Sequence, residues 1–131
     1  MELEMLAGER TKATYDYEWI SGEVHKVLLQ PIVIGVVEDL EKGIHSSEIS
    51  SKFHMTLIRL FARLCDVIRK EHSLNRVVLI GGVFQNSLLL TGLVEALEKN
   101  NFQVFTHRLV PTNDGGISLG QAMVAAAVAR K

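Results

Sequence analysis

A chain of 131 residues with 47% hydrophobic residues and a formal net charge of −1 is long enough for one domain that buries roughly two-thirds of its unfolded surface. This composition argues against a disordered segment, and with no Lys/Arg run a charge-based nucleic-acid reading starts weak. Cys65 is the one cysteine, the Met1-Glu2-Leu3-Glu4 start is too acidic for a signal peptide, and no apolar run reaches the roughly 20 residues that cross a bilayer, so the chain reads as soluble and cytoplasmic, in a reducing compartment.

In chain order, residues 1 to about 9 predict a short helix stopping at Gly8, with Glu2 and Glu4 suited to its first turn. A chain that starts in mid-helix is expected to be part of something longer. From Tyr15 to Leu29 the pattern fits a hairpin: Tyr15, Tyr17 and Trp19 alternate with polar residues, Ser21-Gly22 marks the turn, and Val24 to Leu29 returns. Aromatic residues at this spacing suit sheet packing better than a platform for stacked bases. Pro31 suits a first helical turn, and Ile32 to Leu40 carry an apolar stripe ending near Gly43.

Ser46 or Ser47 caps the next helix, with Glu48 in its first turn and an end near Glu71. Leu57, Ile58, Phe61, Leu64, Cys65 and Ile68 recur at helical spacing and predict one continuous buried face. Cys65, lying on that face, reads as a packed structural thiol and not a nucleophile. His54, one turn earlier, reads as a surface or helix-packing histidine; the sharper alternative, an active-site-edge histidine, has no nearby cysteine, serine or carboxylate at catalytic spacing to support it. His25, His45, His72 and His107 are scattered, with no H-x-x-x-H or H-E-x-x-H pair.

Arg76 to Ile80 predicts a buried strand, followed by Gly81-Gly82 and a helix from about Gln85 to Lys99 whose inner face is Leu89, Leu90, Leu93, Val94 and Leu97. Asn100-Asn101 ends that helix and Phe102 to Thr106 forms a second strand, giving a right-handed parallel βαβ unit. Pro111 to Gly116 breaks the chain before an alanine-rich helix from Ile117 to about Val128, small enough in section to pack closely on the sheet or another helix.

The glycine pair is the most suggestive feature. A helix start after it would offer unpaired N–H groups and a positive dipole end to an anion, and two residues without Cβ let a ligand approach the backbone. In a parallel βαβ unit both strands end at one edge, where open α/β folds bind ligands. Asn86 and Asp114 are therefore expected within reach of one pocket. Each has a plain alternative: Asn86 as a helix-surface amide, Asp114 as a cap of the last helix. The pair lacks the lysine of a P-loop and the spacing of G-x-G-x-x-G.

The stretches Ile80-Gly81-Gly82-Val83-Phe84-Gln85-Asn86-Ser87-Leu88-Leu89 and Val110-Pro111-Thr112-Asn113-Asp114-Gly115-Gly116-Ile117-Ser118-Leu119-Gly120-Gln121 resemble the C-terminal signature of the HypF family of hydrogenase-maturation carbamoyltransferases. Phe53-His54, the opening Met1 to Glu4 and the Tyr15 strand extend the resemblance to essentially the whole chain. It implies an α/β ribonuclease-H-like half of an actin/hexokinase/Hsp70-like ATPase fold, with a mixed sheet and packed helices, and a single domain over residues 1–131 that forms the last portion of a longer protein.

By position, the resemblance assigns Gly81, Gly82 and Asn86 to the adenylate part of ATP or carbamoyl-adenylate, and Asp114 as this half's one ligand to a divalent metal completed elsewhere. It implies carbamoyl phosphate and ATP as substrates and the C-terminal cysteine of a HypE-type protein as acceptor, on the route to the cyanide ligand of nickel-iron hydrogenase. The family's metal-binding histidine pair, first ribonuclease-H-like half, zinc-finger-like segment and acylphosphatase-like domain have no counterpart in this sequence, so no catalytic residue is identified and the chain alone is expected to be inactive. Related tRNA threonylcarbamoyl-transferases fit less well, since Phe84-Gln85 and the Asn-Asp-Gly-Gly order favour HypF. A non-catalytic nucleotide-binding or interaction module is the other alternative.

Overall fold

The structure, a computed structural model, describes residues 2–8, 11–107 and 114–129. In order these form α1 (Glu2–Leu6), β1 (Glu18–Ile20), β2 (Lys26–Leu28), α2 (Gln30–Glu41), α3 (Ser46–His72), β3 (Arg76–Leu79), α4 (Ser87–Lys99), β4 (Gln103–Thr106) and α5 (Ile117–Ala129), with short 3-10 turns at Gly82–Gln85 and Asp114–Gly116. None of the helices among the described residues is long and apolar enough to cross a membrane.

The long α3 is the scaffold. Its start is capped by neither expected serine: the His45 ring accepts the Ser47 N–H at 3.3 Å, and the helix stops where Ser73 turns left-handed at φ 56°. The single buried stripe expected from its sequence is split. Phe61 and Ile68 are 37% and 36% exposed, while Ser50, Thr56, Ile58, Leu60 and Ala62 are buried. The reason is that α3 is gripped from several sides. α4 packs along it, α1 and α2 pack elsewhere, and the Tyr15 N–H donates to Thr56 Oγ1 at 2.8 Å. Periodicity reports one face; a helix with several neighbours buries more than one.

β3 and β4 pair in parallel, Arg76 opposite Gln103 through Leu79 opposite Thr106, with α4 as the crossover between them. The core is built from Ala62, Leu79, Leu93, Leu97 and Phe102, with Cys65, Val77 and Val104 packed against it. Gly92 lets α4 close on α3, because a Cβ there would lie 2.4 Å from Ile58 Cδ1. Burial in this layer pushes the Cys65 thiol up from its ordinary value, helped by the charge of Asp66, as suits a structural thiol.

The expected hairpin is shorter than its pattern, with Glu18 opposite Leu28 in an antiparallel pair. Tyr15 is not in it. That ring is buried between α2 and α3, its hydroxyl donates to Asp39 at 2.9 Å, and the Lys52 ammonium lies 4.2 Å from its centre while bonding the same carboxylate at 2.9 Å. Lys52 and the Tyr15 hydroxyl hold the Asp39 carboxyl below its usual range against the effect of burial.

Two apolar surfaces stay uncovered among the described residues. The face of the parallel pair away from the core carries Val78 and Ile80, 61% and 60% exposed, with Phe105 beside them. α5, expected to pack closely, buries none of its residues. Ile117, Val124 and Val128 share one side of it and Leu119 and Met123 the other, so apolar residues stand on both sides and no single stripe marks a face for this body.

Candidate functional site

The site begins where β3 ends. Gly81 takes φ 109° and ψ 159°, a conformation L side chains rarely adopt, and turns the chain off the sheet edge. Gly82 then opens the 3-10 turn, closed by Phe84 N–H to Gly81 O at 3.1 Å and Asn86 N–H to Val83 O at 3.1 Å. That pattern leaves the N–H groups of Gly82 and Val83 unused by the turn itself. A Cβ built on Gly81 or on Gly82 would meet no atom of the described residues within 4 Å. Neither glycine is there to make room for protein packing. Among the described residues nothing covers these two positions, and a ligand could lie directly against the backbone there.

α4 starts at Ser87, later than the Gln85 expected from sequence, because Asn86 caps it: Oδ1 accepts the Leu89 N–H at 2.9 Å. The first N–H groups of α4 already have partners within the chain. The Glu4 carboxylate on α1 accepts the Ser87 N–H at 2.7 Å and the Ser87 hydroxyl. These bonds, the Ser87 hydroxyl first, hold the Glu4 carboxyl below its usual range. A carboxylate at the positive end of a helix dipole is in its favourable place. Any anion at this edge therefore meets the glycine turn and not α4.

The second amide group of Asn86 reaches a residue that sequence patterns read as incidental. Asn86 Nδ2 lies 2.8 Å from His54 Nε2, and His54 Nδ1 lies 2.8 Å from the Ser50 carbonyl. His54 is only 5% exposed, on the inner side of α3. Beside it a cavity of about 60 Å³ is lined by Ala7, Met55, Leu88 and Gly92 among others. Nothing in the spacing of His54 marks it; the adjoining Phe53-His54 resemblance was the only signal. Both side-chain ends of Asn86 are thus engaged within the chain, one as cap and one toward His54. Among the described residues, His54 is the partner of one of its two amide hydrogens.

Asp114 opens the exposed 3-10 turn ahead of α5. The expected approach of Asp114 to Asn86 runs through residues 108–113, which with the Pro111-Thr112-Asn113 part of the motif lie outside the described residues. Among the described residues no three His, Cys, Asp or Glu side chains gather as a metal site. One carboxylate does not make a metal centre, so Asp114 fits at most one corner of a site completed from elsewhere. The open glycine turn, by contrast, fits a nucleotide: bare backbone, unused N–H groups and free space.

Comparisons with known proteins agree across methods. Residues 1–121 match the family model described as "Carbamoyltransferase, Kae1-like Domain, second subdomain". The carbamoyltransferase HypF of Rhodobacter capsulatus is 32% identical over 127 residues, which is 97% of this chain and 16% of that protein. HypF of Synechocystis is 37% identical over 75 residues, 57% of this chain and 9% of that protein. Among solved structures, full-length HypF in its phosphate- and nucleotide-bound form superposes with a TM-score of 0.89 at 42% identity, covering 97% of this chain and 17% of that one. HypF of T. kodakarensis gives a TM-score of 0.77 at 25% identity, with 99% and 17% covered. The chain therefore spans about a sixth of the full-length proteins it matches over nearly its whole length.

Proposed function

The chain belongs to the HypF carbamoyltransferase family, with the family's ribonuclease-H-like α/β fold, and from that premise we propose that it forms one wall of a nucleotide site whose floor is the Gly81-Gly82 turn. The observation that carries this reading is the clear space against that turn: a Cβ on either glycine would touch nothing within 4 Å among the described residues. Phosphate or adenylate oxygens are received by the Gly82 and Val83 N–H groups, with the remaining Asn86 amide hydrogen alongside. Asp114 supplies one ligand to a divalent metal whose other ligands come from outside this chain. A relative's structure holds phosphate and nucleotide, which supports the ligand class.

In the full-length protein the proposed reaction is carbamoyl transfer: carbamoyl phosphate is hydrolysed to carbamate and phosphate, the carbamate oxygen displaces pyrophosphate from ATP to give carbamoyl-adenylate, and the C-terminal cysteine thiol of a HypE-type acceptor takes the carbamoyl group with release of AMP and the thiol proton. The part played by these residues is to hold the nucleotide, not to exchange protons. No catalytic base is assigned to this chain, so the 131 residues alone are expected to bind nucleotide and not to turn it over.

The test is a titration of ATP into the protein followed by amide NMR, with AMP release assayed in the presence of carbamoyl phosphate. Shifts centred on Gly81, Gly82 and Val83 without AMP release support the reading. No shift at millimolar ATP leaves a non-catalytic interaction module in its place, and AMP release by this chain alone would overturn the one-wall part of it.

A further inference from the structure

We propose that His54 is a positioning residue for the nucleotide site, acting through Asn86. The inference rests on the reading of the glycine turn as nucleotide-binding. The hydrogen-bond polarity of the whole relay is fixed by its two ends. At one end the Ser50 carbonyl can only accept, so the His54 Nδ1 atom 2.8 Å away carries the proton and donates. His54 Nε2 is then a bare acceptor, and the Asn86 Nδ2 group at 2.8 Å donates to it. At the other end the Leu89 N–H can only donate, so the Asn86 atom facing it at 2.9 Å is Oδ1.

Turning the Asn86 amide over would set an N–H₂ against an N–H and a carbonyl oxygen against a bare ring nitrogen, losing both bonds at once. The amide therefore has one permitted orientation. What fixes it is a ring that is 5% exposed and held from a different helix, 32 residues earlier in the chain.

The tie continues backward: the Ser50 hydroxyl donates to the Leu3 carbonyl on α1, while Glu4 of the same helix holds the start of α4. Asn86 joins the end of the glycine turn to the start of α4, so restraining its side chain restrains both. A site that must meet a ligand with one amide hydrogen loses affinity when that group is free to rotate, because ordering it is then charged to binding. Without His54, the Asn86 cap to Leu89 alone leaves Nδ2 undirected. With it, the amide is set before the ligand arrives.

The experiment measures ATP affinity of the 131-residue protein at fixed Mg²⁺ in His54→Leu, His54→Gln, Asn86→Ala and the His54→Leu/Asn86→Ala pair. His54→Leu is expected to weaken ATP about tenfold, one well-made hydrogen bond's worth. His54→Gln, whose side-chain oxygen can stand where Nε2 stands, restores affinity to within about threefold. In the Asn86→Ala background His54→Leu has no further effect. Long-range nitrogen–proton NMR on the unaltered protein reads the tautomer directly and is unaffected by any variant that fails to fold. The Nδ1–H form is expected, and an Nε2–H form overturns the inference. ATP binding by His54→Leu equal to wild type overturns it too and leaves the nucleotide site standing. Failure of the unaltered protein to bind ATP sinks the site reading, and this inference with it.

Discussion

Replacing Gly82 by alanine separates binding from stability, because the two glycines of the turn differ in one respect. Among the described residues both have 4 Å of clear space where a Cβ would go, but only Gly81 has the positive φ, 109°. At Gly81 alanine is strained whatever the space, at a cost of about 1–3 kcal/mol. At Gly82 the backbone is ordinary, so alanine costs nothing in contacts and gains slightly from a less flexible unfolded chain, about 0.4–1 kcal/mol. With a urea slope of roughly 1.5 kcal/mol/M for a domain of this size, Gly81→Ala should lower the midpoint by roughly 1 M and Gly82→Ala leave it unchanged or slightly higher. If nucleotide lies against the turn, the Gly82 methyl occupies its place and ATP affinity falls at least about tenfold, equivalent to roughly 1.4 kcal/mol. Urea unfolding and ATP titration on the two variants give the four numbers. Gly82→Ala that binds ATP like wild type refutes the placement of the ligand, and Gly82→Ala that unfolds like Gly81→Ala refutes the claim of empty space.

Two further outcomes follow from packing and charge. Gly35→Ala places a Cβ 2.5 Å from Tyr15 Cδ1, on a ring pinned by Asp39 and Lys52. Overpacking at about 1–3 kcal/mol outweighs a helix-propensity gain of about 1 kcal/mol, so thermal unfolding should move down by a few degrees. Glu4 is held below the ordinary carboxylate range by Ser87, so the unfolded chain binds its proton first. The Glu4 contribution is therefore complete above the unfolded value and disappears as pH falls through the lower folded value. Protection of the Ser87 amide against hydrogen exchange should fall across that acid range in wild type, and Glu4→Gln should abolish the pH dependence while leaving the neutral-pH fold intact.

Much of the framework was legible because it is local. Leu89, Leu93 and Leu97 recur at helical spacing and are the buried face of α4, and the strand–helix–strand order forces β3 and β4 to pair in parallel. The glycine turn was legible for the same reason, since two glycines after a β-rich run leave few alternatives. What escaped are contacts between elements distant in sequence. Glu4 meets Ser87 across 83 residues and His54 meets Asn86 across 32, and no periodicity encodes either. The consequence is specific. Sequence offered the helix start to an anion without showing that Glu4 meets Ser87 there, and weighed His54 without showing that it meets the amide nearest the turn. Sequence also read α3 as one-sided, because a stripe counts apolar residues and not the polar Ser50, His54 and Thr56 that its neighbours bury.

The uncovered surfaces bear on how strongly such a turn can bind. Binding pockets for small molecules commonly enclose 70–90% of the ligand, whereas the space against Gly81 and Gly82 is open. A few backbone N–H groups and one amide hydrogen on a single wall must also meet the cost of immobilising a nucleotide, several kcal/mol before any net affinity appears. Weak, near-millimolar ATP binding is thus what the geometry of one wall gives. Parallel strands are ordinarily covered on both faces, yet Val78 and Ile80 are exposed here and the apolar α5 buries nothing among the described residues. In the proposed full-length enzyme, a second wall over the turn would enclose the nucleotide, and these apolar faces offer it surface to bury. The apolar surface that stabilises the joint and the enclosure that strengthens nucleotide binding would then be one and the same contact, so affinity and assembly should rise together.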